Sequence, residues 1–209
     1  MSEELLNHPY AEDIWLILLA TIGNKYGTAG LMGNLRAESG LYPDRVQGDI
    51  PYSDYSKNYT ALVDGGAISE YDFVYNGPNG GGYGLAQWTY YTRKQALYDM
   101  WKNSQGQLGA YSSIGDVRLA CDYLLYELNT SYSDVMDVLK NATSIREASD
   151  IVLHQFENPA DQSTSVEELR ESLGLEVFET FDGKLPDTPT PSKRKQLSKL
   201  LLFAVATDL

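Results

Sequence analysis

Cysteine, histidine, long apolar runs and positive charge are what this 209-residue sequence has least of. A single cysteine, Cys121, excludes an internal disulfide framework. Only His8 and His154 are available as imidazole ligands, and neither an HExxH nor a paired CxxC occurs. The donor sets of zinc enzymes are therefore missing, and no metal or organic cofactor is expected. The longest apolar stretches, 14–20 (IWLILLA) and 200–206 (LLFAVAT), fall far short of the roughly 20 residues that span a bilayer, so no membrane span is expected. The opening MSEELLNHPYAED lacks a basic n-region, so no signal peptide is expected. Sixteen Lys and Arg face 29 Asp and Glu, a net charge of −13, which argues against a nucleic-acid partner because phosphate binding needs clustered cations.

That charge is unevenly spread. Residues 184–209 hold five bases (Lys184, Lys193, Arg194, Lys195, Lys199) and two acids (Asp187, Asp208), leaving 11 bases against 27 acids, a net −16, on residues 1–183. Hydrophobic residues make up 43% of the chain, enough for one well-buried domain. Helical patterning dominates. Residues 11–26 read as a largely buried helix, followed by a second from Thr28, as its cap, to Glu38, with Gly40 as terminator. Apolar stripes predict further helices over about 92–103, 115–128 and 132–141. The capping-box patterns Ser144–Glu147 and Ser165–Glu168 start two more, the first stopping at Asn158-Pro159. Between them, YTALVDGGAISEYDFVY reads as two β-prone segments around Asp64-Gly65-Gly66, a hairpin signal, and NGPNGGGYG as a glycine-rich loop. No phosphate-binding glycine motif is satisfied there. KLPDTPTPSK predicts a proline-rich linker over 184–192, before a basic amphipathic helix within 193–209 or a junction to a further module. The expectation is a mostly helical α+β domain over 1–183 with a small inserted β-hairpin region.

Glu38 is oddly placed. It ends a helix, where the macrodipole disfavours a carboxylate, and it neighbours Met32, Leu35 and Leu41. Both influences raise a carboxyl pKa, as a general acid near neutral pH requires; the alternative is a solvated glutamate fraying at a helix end. Cys121 lies inside an apolar helix stripe rather than at a helix N-terminus, and His154 sits near a helix end, both positions that need no function.

Three segments, MGNLRAESGLYP (32–43), GGYGLAQWT (81–89) and FENPADQ (156–162), resemble in order and spacing the phage tail lysozyme family, over roughly residues 10–181. The resemblance implies a lysozyme-like fold, with a cleft between a helical body and a β region, that cleaves the MurNAc-GlcNAc strand of bacterial peptidoglycan. It implies Glu38 as the catalytic general acid and a cleft lined by Gly82, Tyr83, Gly84, Gln87 and Trp88. Tyr83 and Trp88 read equally as sugar-stacking walls or as core aromatics, and Tyr42 and Tyr90 are further cleft candidates. In the third segment this chain has Phe156-Glu157-Asn158-Pro159 where family members often carry aromatic-Glu-Arg-Pro, and Glu157 reads as an exposed residue of the last helical turn.

A lysozyme-type hydrolase needs a second carboxylate. The irregular region offers Asp44, Asp49, Asp54, Asp64 and Asp72; Asp49, eleven residues after Glu38, is the first choice, and Asp64 reads as a turn residue. In a lytic transglycosylase the substrate's own N-acetyl or 6-hydroxyl group takes that place. Two other readings are a non-catalytic glycan-binding or structural module of a phage tail, and a wall-peptide hydrolase using Cys121 and His154. Delivery without a signal fits a host cytoplasm before lysis or a virion-associated protein, with the C-terminal segment joining a cell-wall-binding or tail module.

Overall fold

The computed structural model describes residues 2–77 and 81–182. Its elements are α1 (Glu3–Asn7), α2 (Ala11–Ile22), α3 (Lys25–Ser39), α4 (Asp54–Asp64), α5 (Tyr91–Ser104), α6 (Val117–Thr130), α7 (Ser133–Asn141), α8 (Ile145–Ile151) and α9 (Thr164–Phe181). π-Helical turns cover Asp72–Asn76 and, directly after α8, Val152–Glu157. The expected linker at 184–192 and the helix within 193–209 lie outside the described residues.

The helical body follows the sequence pattern, with two shifts at its start and one at its end, where α9 begins at Thr164 after Ser163 and the expected cap Ser165 lies inside the helix. Gly23, at φ 71°, closes α2, so that helix ends short of residue 26. Asn24, not Thr28, caps α3 by accepting from the Tyr26 and Gly27 amides, and Thr28 lies inside the helix. Asn24 also donates to the carbonyls of Lys140 and Ala142, so the cap ties α3 to the end of α7. Gly40 ends the helix as expected, at φ 63°.

The expected hairpin is absent: no strand occurs among the described residues, where only the isolated bridges Val46–Tyr83 and Tyr83–Trp88 pair extended backbone. Residues 54–64 form α4 instead. Ser53 caps it by accepting from the Tyr55 amide, and Ser56, Tyr59, Thr60 and Val63 are buried at helical spacing. Period overrode β-propensity here, because Tyr59 and Val63 reach the core on one helical face.

Helix α3 is the axis of the domain, packed against α2, α7, α8 and α9 and buried continuously from Gly27 to Leu35. Its glycines recur every third residue, and each meets a neighbouring backbone. A Cβ on Gly27 would lie 2.0 Å from the Leu139 carbonyl oxygen, one on Gly30 2.7 Å from the Ser149 amide, and one on Gly33 2.4 Å from the Arg170 carbonyl oxygen. Alanine at these sites has no room unless a helix moves. Gly33→Ala is expected to cost about 1–3 kcal/mol by forcing α9 away, seen as a lower thermal midpoint at about 2–4 °C per kcal/mol.

Candidate active site

The end of α3 opens into a cleft of about 370 Å³. Glu38 and Arg45 line one part, Gln47, Gly48 and Ile50 another, and Ala86, Gln87, Thr89 and Tyr90 a third. Arg93, Glu157 and Pro159 complete it. The chain reverses after Glu38 through two left-handed residues, Gly40 and Leu41, the latter at φ 66° and fully buried. A left-handed leucine is uncommon and persists because its burial fixes it. Arg45 closes the reversal, donating to the Ser39 carbonyl at 3.0 Å and the Asp49 carbonyl at 2.8 Å.

Glu38 is not a fraying side chain. Arg170, on α9, donates from Nη2 to its Oε1 at 2.5 Å. Arg170 is itself buried, with Nη1 donating to Asn34 Oδ1 and to the Asn34 carbonyl, while its Nε has no partner. Asn34 in turn donates to the Gly30 and Ser149 carbonyls and to Ser149 Oγ. A polar chain thus runs through the core from Ser149 to Glu38. The dipole and apolar neighbours anticipated from sequence did not include this cation.

The same cleft is lined by Glu157, which sequence patterning assigned to an exposed last turn. The structure corrects that: Glu157 is only partly accessible, and its Oε1 is buried without a hydrogen-bond partner. Burial pushes its carboxyl up to about 8, the negative charge of Glu38 adds to the rise, and Arg93 and Arg170 oppose it. The π-helical turn Val152–Glu157 explains why period missed it. The wider turn rotates residue 157 relative to a regular α-helix, and Asn158 at φ 46° ends the element immediately afterwards.

The second segment builds the cleft's wall from behind. Gln87 lines the cleft and, from Nε2, donates to the Arg45 carbonyl at 3.0 Å and the Gly84 carbonyl at 2.9 Å. Gly82 donates to Gln47 Oε1, and a Cβ on Gly84, at φ 81°, would lie 2.8 Å from the Trp88 ring. Tyr83 and Trp88 are wholly buried and are not among the lining residues, a geometry that matches core packing. Tyr83 meets Thr60 Oγ1 at 2.7 Å. Trp88 donates to Glu127 Oε2 at 2.7 Å. Glu127, also buried, accepts from Arg93 Nε at 2.6 Å and Nη2 at 2.8 Å and from the Tyr123 hydroxyl. Trp88 thus acts indirectly, by fixing the carboxylate that fixes Arg93. Tyr42 stacks on Tyr52 at 3.8 Å and lies outside the lining set, whereas Tyr90 lines the cleft and is strongly exposed.

Asp49 is held elsewhere. Its carboxylate accepts from the Ser53 amide and hydroxyl and the Ser56 amide and hydroxyl, bracing the start of α4, and it is not among the lining residues. Burial raises its pKa, but these four hydrogen bonds outweigh that and hold it at about 2. Asp44 accepts from Tyr52, Asp54 pairs with Lys57, Asp64 accepts from the Ile114 amide and Asp72 from Ser69 and Asn76; none of the four lines the cleft. Cys121 is fully buried and its thiol is pushed up by that burial. His154 is occupied by Gln162 Oε1 and Glu167 Oε1. No group of three His, Cys, Asp or Glu residues able to hold a metal occurs among the described residues, nor any helix long and apolar enough to cross a membrane.

Asp49→Ala leaves the Ser53 and Ser56 donors without their acceptor and is expected to cost about 1–3 kcal/mol in denaturant unfolding. Because its folded pKa is depressed, the stability Asp49 contributes is present above the ordinary carboxylate range and is lost as pH falls toward about 2. The gap between wild type and Asp49→Ala should therefore narrow between pH 5 and pH 2.

No curated protein matches the chain by sequence. The family model for phage tail lysozyme matches residues 9–181, a span that includes Glu38, the Gln87 segment and Glu157. With most of its length inside that match, the chain belongs to the phage tail lysozyme family.

Proposed function

We propose that this domain is a peptidoglycan-degrading glycosidase that cleaves the MurNAc-GlcNAc strand, with Glu38 as general acid. The observation that carries the reading is Glu38's place in the open cleft, held by Arg170 on a helix whose burial leaves it little freedom. In the reaction Glu38 gives its proton to the glycosidic oxygen as the C1–O bond breaks. The oxocarbenium-like centre is then closed by water, giving a lysozyme product, or by the substrate's 6-hydroxyl, giving the anhydro product of a lytic transglycosylase. Gln87 and Tyr90, both on the cleft wall, supply an amide and an exposed aromatic face for sugar contacts. The reading places the protein's action on the bacterial wall, whether it is released from the host cytoplasm at lysis or carried on a virion.

A buried polar chain that ends on Glu38 holds its carboxyl group in one orientation, as a proton donor to a fixed glycosidic bond requires. Glu38→Gln should still fold, with a lowered thermal midpoint because the buried Arg170 loses its counter-charge, and should lose at least about a hundredfold in the rate of turbidity loss of purified cell walls. Near wild-type clearing by the folded variant would refute the assignment.

Charge generates a second expectation. The −16 carried by residues 1–183 opposes approach to walls bearing anionic polymers, and salt screens this over about 8 Å at physiological strength. Clearing of such walls should speed up as salt rises from low to physiological concentration. A flat rate across that range would mean that repulsion plays no part.

A further inference from the structure

Glu157 carries the inference furthest. It lines the same cleft as Glu38, comes from a different element, and presents a buried carboxyl oxygen with no hydrogen-bond partner. A buried, unpartnered carboxyl oxygen is costly, and such groups in native proteins need an explanation. The π-helical turn that ends on it is an irregularity often found at functional positions. The charged groups facing it are Glu38 from α3, Arg93 from α5, Glu127 from α6 and Arg170 from α9. Two of these are cations already engaged: Arg93 on Glu127, and Arg170 on Glu38 and Asn34. The arrangement is two carboxyl groups at one cleft, with cations close but committed elsewhere.

We propose that Glu157 is the second carboxyl of the reaction centre and that it and Glu38 hold a single proton between them. The proposal rests on the reading of Glu38 as the donor. In the empty cleft the proton rests on Glu157, whose desolvated carboxyl and like-charged neighbour both favour the neutral form. During reaction Glu38 carries it, and Glu157 is then the carboxylate that faces the positive charge developing at C1. Bond cleavage sends the proton away on the leaving sugar's hydroxyl, leaving both groups anionic beside Arg93 and Arg170. Addition of water or of the 6-hydroxyl to C1 forms the new C–O bond and returns one proton to the pair. Like-charged carboxyls in one site titrate as a unit, so the pair and not either residue sets the pH range of activity.

The test uses the full chain, purified peptidoglycan, and the variants Glu157→Gln and Glu38→Gln, each checked for its thermal midpoint. Wild-type activity should fall as pH rises through about 8, where the pair loses its proton. Glu157→Gln removes the like charge and should cut the rate at least about tenfold, with its alkaline limb moved down by about one pH unit or more. Glu157→Gln with the wild-type rate and limb, beside an inactive Glu38→Gln, would overturn the pairing and leave the Glu38 reading standing. An active Glu38→Gln would overturn the reading beneath both. A further measurement does not depend on the Glu157 variant folding: the carboxyl-carbon NMR titration of Glu157 in wild type and in folded Glu38→Gln. Its midpoint should drop when Glu38 is neutralised, and an unchanged midpoint would refute a shared proton.

Discussion

Arg170 is where the fold and the cleft depend on the same atoms. Its guanidinium is buried between α9 and α3, bonded on one side to Asn34 and on the other to Glu38. Breaking a buried pair by removing one partner leaves the other charge uncompensated, at a cost of about 3–5 kcal/mol. That contact requires α9 to lie almost against the α3 backbone, which Gly33 permits, since any side chain there would meet the Arg170 carbonyl. Helix packing and the orientation of Glu38 are therefore one constraint. Arg36 reinforces the same seam by donating to Glu176 and to the Leu173 carbonyl.

Around the cleft the pattern repeats. In a protein of net charge −13, three arginines converge at or beside it, and each is pinned from behind. Arg45 is held by the Ser39 and Asp49 carbonyls, Arg93 by both oxygens of Glu127, and Arg170 by Asn34. Arg93 also lies 4.9 Å above the Phe156 ring, which ties it to the residue preceding Glu157. Fixed cations of this kind are arranged to stabilise carboxylates in the cleft, the form Glu38 would take on giving up its proton, at little cost in reorganisation.

Much of this was legible in the sequence. Gly40 marked the end of α3, and the apolar stripes marked α5, α6 and α7, because period is a local property. The family segments carried Glu38 and Gln87 to the cleft. What stayed hidden depended on contacts between distant elements. Arg170 lies 132 residues from Glu38, and no local pattern pairs them. The Gly27-Gly30-Gly33 spacing was visible as text, but its meaning needs the neighbouring helices. Tyr59 and Val63 read as strand residues by propensity, yet their spacing of four placed both on one buried helical face. Asp49 read as a catalytic candidate from its distance to Glu38, while serines four and seven residues later, its actual partners, pointed to a helix brace. Glu157 escaped because a π-helical turn breaks the period from which its exposure was inferred.

Cleavage of the glycan strand in this cleft would leave its signature on the chemistry of the released ends. Purified peptidoglycan digested with the full chain should yield fragments ending in reducing MurNAc or in 1,6-anhydro-MurNAc, identified by mass spectrometry. Release of fragments cut only within the peptide stems, with every glycosidic bond intact, would show that this cleft does not cut the glycan strand.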